Sequence, residues 1–354
     1  MSRFFSLRNS ALEPYVPGEQ PRDQVYIKLN TNESPFPPSP GAAEAAAEAA
    51  KRLQLYSDPE CTLLREKFSE VFGLRTDQVL FTNGSDEALY FLFLAFCDEQ
   101  HGAAFPALSY GFYPVYADLT HTPALQIPLK EDFSIDPADY AGLGRMILIA
   151  NPNAPTGVAL TRSQIETILR ANPDSVVAVD EAYVDFGAES CLPLIDRYDN
   201  LIVIQTFSKS RSLAGARLGF AAGDPALIAD LTTIKYSVNP YNINSMTMAA
   251  GIGALSDQDY TRDCCRIIRE NRAWLTGELR SMGFYTTDST TNFLFAKHER
   301  IGGEQLYRKL KQRGVLIRHF SREDIKDFNR ITVGTREQME ILVQRIREIL
   351  EEEK

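Results

Sequence analysis

Positive charge is in the minority. The 354-residue chain has 37 lysines and arginines against 47 aspartates and glutamates, a net charge of -10. That argues against a general nucleic-acid or anionic-membrane surface, though not against one local basic pocket. Cysteine is scarce and badly spaced for structural work. Cys61, Cys97, Cys191, Cys264 and Cys265 are odd in number and lack C-x-x-C spacing, so neither a disulfide framework nor a zinc site is expected, and they read as reduced thiols. The four histidines, His101, His121, His298 and His319, show no metal-ligand spacing. Long apolar runs are missing too. The longest, Ala88 to Cys97, is too short to span a bilayer and suits a core helix. The opening MSRFFSLRNSALEPY lacks the sustained apolar centre of a signal peptide. A cytoplasmic globular protein is expected.

What is present centres on residues 201–220, LIVIQTFSKSRSLAGARLGF. Leu201 to Ile204 read as a buried strand. Thr206, Ser208 and Lys209 follow, then a small-residue segment and Arg217. A lone lysine is usually a solvated charge. One just past a buried strand, among hydroxyls and with an arginine eight residues on, can lose its proton and form a Schiff base with an aldehyde. The hydroxyls and Arg217 suit a phosphate.

Upstream, Val79 to Thr82 reads as a strand, and Asn83, Gly84, Ser85 and Asp86 open an apolar helix. Such a turn presents free N–H groups to a phosphate, although serine and aspartate also cap helices with no ligand present. Met146 to Ala150 is a buried strand leading into NPNAPTG (151–157). Thr161 and Gln164 form a capping box, and Ser175 to Val179 is a further strand ending on Asp180, Glu181, Ala182 and Tyr183. Strands alternating with helices over 79–220 predict a doubly wound α/β sheet, which binds ligands beyond the carboxyl ends of its strands. Asp86, Asn153, Asp180, Tyr183 and Lys209 all fall just there.

Residues 1–40 are proline-rich and polar, with one short apolar element before NTNESPFPPSP. From about 251 the pattern turns to a long charged helix, short strands and a final helix capped by Thr335 and Gln338. A mostly parallel large domain over 41–250 is therefore expected, with a smaller α+β domain over 251–354 joined by residues 1–40.

Ser208, Lys209, Gly215 and Arg217 match S-K-x-x-x-x-x-G-x-R, and the stretch resembles the cofactor-lysine motif of fold-type I pyridoxal phosphate enzymes. The wider context is similar to the histidinol-phosphate aminotransferase family. It includes Asn30, Asn32 and Glu33 in L-N-x-N-E, Tyr56 in YSDPE, the Gly84 turn, and RITVGT from Arg330. The resemblance implies that Lys209 carries the cofactor, that Asp180 partners its pyridine nitrogen and that Tyr183 donates to its phenolic oxygen. It further implies that Tyr110 stacks on the ring, and that Ser85, Asp86, Thr206, Ser208 and Arg217 cradle the phosphate. Tyr56 would complete that cup from the other subunit of a homodimer. Arg318 and Arg330 would grip the substrate anion, with Tyr15 and Asn32 lining the same pocket. No metal is implied.

One departure stands out: the family reads N-P-N-N-P-T-G, and here the asparagine expected at the phenolic oxygen is Ala154, so either Tyr183 acts alone or Asn153 substitutes. The implied activity is amino transfer from L-histidinol phosphate to 2-oxoglutarate. A threonine-phosphate decarboxylase or an aromatic amino acid aminotransferase would share most of these motifs. A non-catalytic α/β nucleotide-binding protein should instead show G-x-G-x-x-G after its first strand, and that motif is absent there.

Overall fold

The computed structural model describes residues 2–353. Strand β1 (Ile27–Leu29) precedes helices α1 (Pro40–Ala50) and α2 (Thr62–Phe72). Then come β2 (Val79–Thr82), α3 (Gly84–Phe96), β3 (Ala103–Pro106), α4 (Phe112–Thr120), β4 (Ala124–Ile127), β5 (Met146–Ala150), α5 (Arg162–Ala171), β6 (Val177–Asp180), β7 (Leu201–Thr206) and β8 (Gly219–Gly223). The remainder is α6 (Pro225–Val238), α7 (Ser245–Ser256), α8 (Gln258–Ser281), β9 (Phe284–Thr286), β10 (Phe293–His298), α9 (Gly303–Gln312), β11 (Val315–His319), β12 (Phe328–Thr332) and α10 (Arg336–Glu352). Among the described residues no helix is long and apolar enough to cross a membrane.

Seven strands form the larger sheet, in the order β2-β8-β7-β6-β5-β3-β4. β3 to β7 pair in parallel, and β8 runs antiparallel to both β7 and β2. The strands are apolar on both faces because helices cover both faces. In β7, Leu201 and Val203 enter one core with Phe68 of α2 and Ile165 and Ile168 of α5. Ile202 and Ile204 enter the other, with Leu89 and Phe93 of α3 and Leu231 of α6. The expected doubly wound, mostly parallel sheet is what forms.

β8 is one of the strands that sequence patterning passes over, for GFAAG has little β propensity. Its smallness is a packing requirement. A Cβ on Gly219 would fall on the backbone of Gly84 and Ser85, so the strand lies tight under the turn that opens α3.

The smaller sheet, β1-β11-β12-β10-β9, is antiparallel except for β1, which pairs in parallel with β11. α8, α9 and α10 cover it through Leu275, Leu279, Leu310, Leu342 and Ile346. The Thr335–Gln338 and Thr161–Gln164 capping boxes both form. Because β1 is a strand of this sheet, the loop after Leu29 starts beside β11 and β12 and crosses toward the ends of β6 and β7.

Candidate active site

A cavity of about 420 Å³ opens where the carboxyl ends of the large sheet face the small sheet. Asp180 is the last residue of β6, and Lys209 follows β7 by three residues. The Lys209 Nζ donates to the Thr31 carbonyl at 3.2 Å and lies 5.7 Å from the centre of the Tyr183 ring. Asp180 is 4 % exposed. Its carboxylate accepts from the Tyr113 hydroxyl at 2.8 Å and the Ala182 N–H at 3.2 Å. Burial pushes its pKa up to about 6, against the lowering effect of those two bonds. No cation among the described residues pairs with it.

The first wall comes from the large sheet. Gly84 takes φ +75°, and a Cβ there would fall inside the Arg217 guanidinium, so glycine is required both by conformation and by space. Arg217 donates to Asp86 at 2.9 Å and to the Ser208 hydroxyl at 3.3 Å. It adopts φ +57°, a left-handed conformation that a residue with a side chain rarely takes. Ser85, Asp86, Thr206, Ser208 and Arg217 line this end together. Tyr110 lines it too, with its hydroxyl donated to Asp86 at 2.9 Å.

The opposite wall comes from the small sheet. Arg318 of β11 and Arg330 of β12 are direct cross-strand partners, an arrangement of like charges that costs stability. Arg318 donates to the carbonyls of Val16 and Pro17 at 3.4 Å each. Arg330 donates to the Asn30 carbonyl at 3.0 Å, packs against Phe293 and Phe320, and leaves its buried Nε without a partner. Burial lowers its pKa. Tyr15 stacks on Phe112 at 4.2 Å and reaches the cavity, where burial raises its pKa. Asn32, buried and at φ +55°, donates its amide to the Tyr183 hydroxyl at 3.0 Å.

One expected residue, Asn153, lies elsewhere. The Asn153 side chain donates to the Leu108 carbonyl and to Thr156, at 3.0 Å each, and accepts from Ser109 at 2.8 Å. It is a brace within the turn, and the adjoining Ala154 lines the cavity instead. Tyr56 is 85 % exposed, stacked on Tyr241 at 4.7 Å, and lines no part of its own chain's cavity. Sequence reading missed Tyr113, since nothing in SYGFYPVY separates its role from that of Tyr110. Arg322, also unanticipated, lines the mouth, paired with Asp324 at 2.8 Å.

Two carboxylates and five cations line the cavity: Asp86 and Asp180 against Lys209, Arg217, Arg318, Arg322 and Arg330. Arg217 and Arg322 have acidic partners. Lys209, Arg318 and Arg330 have none among the described residues. The site is thus charged for an anionic ligand, with one buried carboxylate free for a ligand cation.

Comparison with known proteins agrees. The family model described as aminotransferase class I and II matches residues 24–346. The chain is 47% identical over 352 residues to a histidinol-phosphate aminotransferase of Brachyspira hyodysenteriae, covering 99% of each. It is 48% identical over 353 residues to histidinol-phosphate aminotransferase 1 of Bordetella parapertussis, again covering 99% of each. Among solved structures, the histidinol-phosphate aminotransferase of Sinorhizobium meliloti in complex with pyridoxal-5'-phosphate superposes with a TM-score of 0.88 at 23% identity, covering 99% of both chains. The fold, the lysine beyond β7 and the full-length similarity converge: the chain belongs to the class I and II aminotransferases, a family that depends on pyridoxal phosphate.

Proposed function

We propose that this cavity transfers the amino group of L-histidinol phosphate to 2-oxoglutarate, giving imidazole acetol phosphate and L-glutamate within histidine biosynthesis in the cytoplasm. The observation that carries it is the Arg318–Arg330 pair, two guanidinium groups on paired strands with no carboxylate partner among the described residues. Both relatives of 47–48% identity bear that enzyme's name.

The residues present fit pyridoxal phosphate. Gly84, Ser85, Asp86, Thr206, Ser208 and Arg217 form a cup whose wall a single Cβ would fill, suited to the phosphate by its donors and its arginine. Asp180 offers a buried carboxylate to the ring nitrogen. When bound, the cofactor supplies an electron sink for the substrate carbon bearing the amino group. Lys209 would hold the cofactor, and its amine stands where it would move the proton at that carbon. Tyr113 keeps Asp180 oriented. Arg330, walled by Phe293 and Phe320, fixes the substrate anion in a dry setting where a charge-assisted bond is strong. The expected boundary at 250/251 would cut α7, whose Ala254 and Leu255 pack in the large-sheet core, so the catalytic frame divides after that helix, with residues 1–40 carried on the second lobe.

A two-fold homodimer completes the reading. Leu53, Leu55, Tyr56, Leu63, Tyr236, Val238 and Tyr241 are exposed. The Tyr56–Tyr241 stack and the bond from Ser57 to the Ile243 carbonyl at 2.6 Å join the two segments in one apolar surface. Buried against a second copy, that surface would carry Tyr56 to the partner's phosphate cup. Tyr56→Ala and Lys209→Ala chains, each poorly active alone, should regain one working site per dimer when coexpressed. Purified mixed dimers no better than the parents would confine Tyr56 to its own subunit.

Half-reactions against a panel of phosphorylated amines and amino acids test the substrate. Histidinol phosphate should give the highest kcat/KM, with glutamate formed from 2-oxoglutarate. Release of carbon dioxide from O-phosphothreonine, without amino transfer, would instead mark a decarboxylase, and a preference for aromatic amino acids would overturn the phosphate role of the arginine pair.

A further inference from the structure

Asn32 sits in a closed set of hydrogen bonds that has a direction. Its backbone N–H donates to the Thr332 hydroxyl at 3.0 Å, and the Thr332 hydroxyl donates to the Asn32 side-chain oxygen at 2.9 Å. The Asn292 amide donates to the Asn32 carbonyl at 3.0 Å. Asn32 and Thr332 are 1 % and 3 % exposed, so water cannot substitute for a missing partner. Were the Asn32 amide turned over, the Thr332 hydrogen would have no acceptor among the described residues. Thr332 therefore fixes the side-chain oxygen on its own side and presents the Asn32 NH2 to the Tyr183 hydroxyl, 3.0 Å away.

The consequence falls on Tyr183. Its oxygen is occupied as an acceptor, so its own hydrogen is the part left to give, and no acceptor for it exists among the described residues. Tyr183 lines the cavity, and the side chains of Ala154 and Pro155, which line it too, carry no donor. Asn32 meanwhile holds a left-handed backbone at φ +55°, a conformation of the kind kept where surrounding structure imposes it.

We propose that Asn32, oriented by Thr332, is a positioning residue that fixes Tyr183 as a hydrogen-bond donor toward the cofactor's phenolic oxygen. It does not contact the substrate through its amide. The proposal rests on the pyridoxal phosphate reading above. A donor to an anionic oxygen stabilises the deprotonated form of the bound chromophore, and an accepted bond from Asn32 makes the Tyr183 hydroxyl a better donor.

The test follows the visible absorbance of the holoenzyme as a function of pH, without substrate. Asn32→Gly tolerates the left-handed backbone and keeps the N–H to Thr332, but removes the amide. It should raise the midpoint of the spectral transition by roughly one pH unit, the scale of a weakened bond to a charged group. Thr332→Val should raise it similarly, and Thr332→Ser, which keeps the hydroxyl, should restore the wild-type midpoint. In a Tyr183→Phe background Asn32→Gly should add nothing, because its effect passes through the lost hydroxyl. Unmoved midpoints in Asn32→Gly and Thr332→Val, or equal shifts with and without the Tyr183 hydroxyl, overturn the proposal while leaving cofactor binding intact. Should Asn32→Gly not fold, the Thr332 pair decides alone. Absence of any visible band in the wild-type protein after incubation with pyridoxal phosphate would sink the cofactor reading itself, a different failure.

Discussion

The cavity holds two arginine sites built in opposite ways. Arg217, at the large-sheet end, is paired with Asp86 at 2.9 Å, and its side chain is 44% exposed. Arg330, at the small-sheet end, is held by a backbone carbonyl and two aromatic faces, with no acidic partner among the described residues. The first is fixed in place by its counter-ion, so a ligand phosphate must share it. The second is held by neutral groups, and its charge stays uncompensated until an anion arrives. A resident cofactor suits the first arrangement. A substrate that must enter and leave suits the second, where the driving force is relief of an unpaired, partly desolvated charge.

Lys209 is common to both ends, and its loss should have the largest effect. Lys209→Ala should lower kcat on the order of 10^4-fold. Borohydride reduction of the wild-type holoenzyme followed by peptide mapping should tag Lys209. A tag on Lys235, which is buried against the Pro59 carbonyl, or on no lysine, would dismantle the site.

The contrast itself is tested by removing each arginine. Arg330→Ala should cut kcat/KM roughly 10^2- to 10^4-fold for histidinol phosphate and for glutamate alike, the loss of two charge-assisted bonds. Arg217→Ala should instead weaken retention of the cofactor, read by dialysis and visible absorbance, with little change in substrate KM once the cofactor is saturating. Matching losses of KM and of cofactor retention in both variants would erase the distinction.

The smallest effect concerns stability. Asp180 has its pKa raised from 3.8 to about 6 in the folded chain, chiefly by burial. The folded state therefore binds this proton more tightly than the unfolded state does. Its contribution to stability is present in full below about 4, falls as the pH climbs through about 6, and is absent above. In cofactor-free protein Asp180→Asn should thus gain up to about 3 kcal/mol at pH 8 and much less at pH 4.5, measured by urea denaturation. The gain would come with lost activity, the trade expected where a buried charge waits for a ligand. Equal stability of the two proteins at pH 8 would show that Tyr113 and the Ala182 N–H already compensate the carboxylate.

Sequence patterning located the strands that carry the chemistry to within a residue or two. β2 and β5 match their expected bounds, and β6 and β7 begin or end two residues away. Lys209, Asp180 and the Gly84 turn were legible because each follows an apolar run and belongs to a compact local motif. Asn153 was misplaced for the same reason: its position beyond β5 is local information, but its commitment to Leu108 and Ser109, 45 and 44 residues away, is not. Tyr113 was invisible because only the fold sets its hydroxyl against Asp180, 67 residues on.

By itself, then, the sequence determined which segments are strands and helices, which faces are apolar, and which reactive residues stand at strand ends, since those follow from side-chain period and from turn chemistry. Tertiary structure alone decided the partners. Lys209 meets Thr31 across 178 residues, Tyr183 meets Asn32 across 151, and Arg330 meets Asn30 across 300. Those pairings depend on β1 joining the small sheet and on β8 slotting antiparallel beneath the Gly84 turn. Both are settled by how whole elements pack, and no local pattern in the chain encodes that.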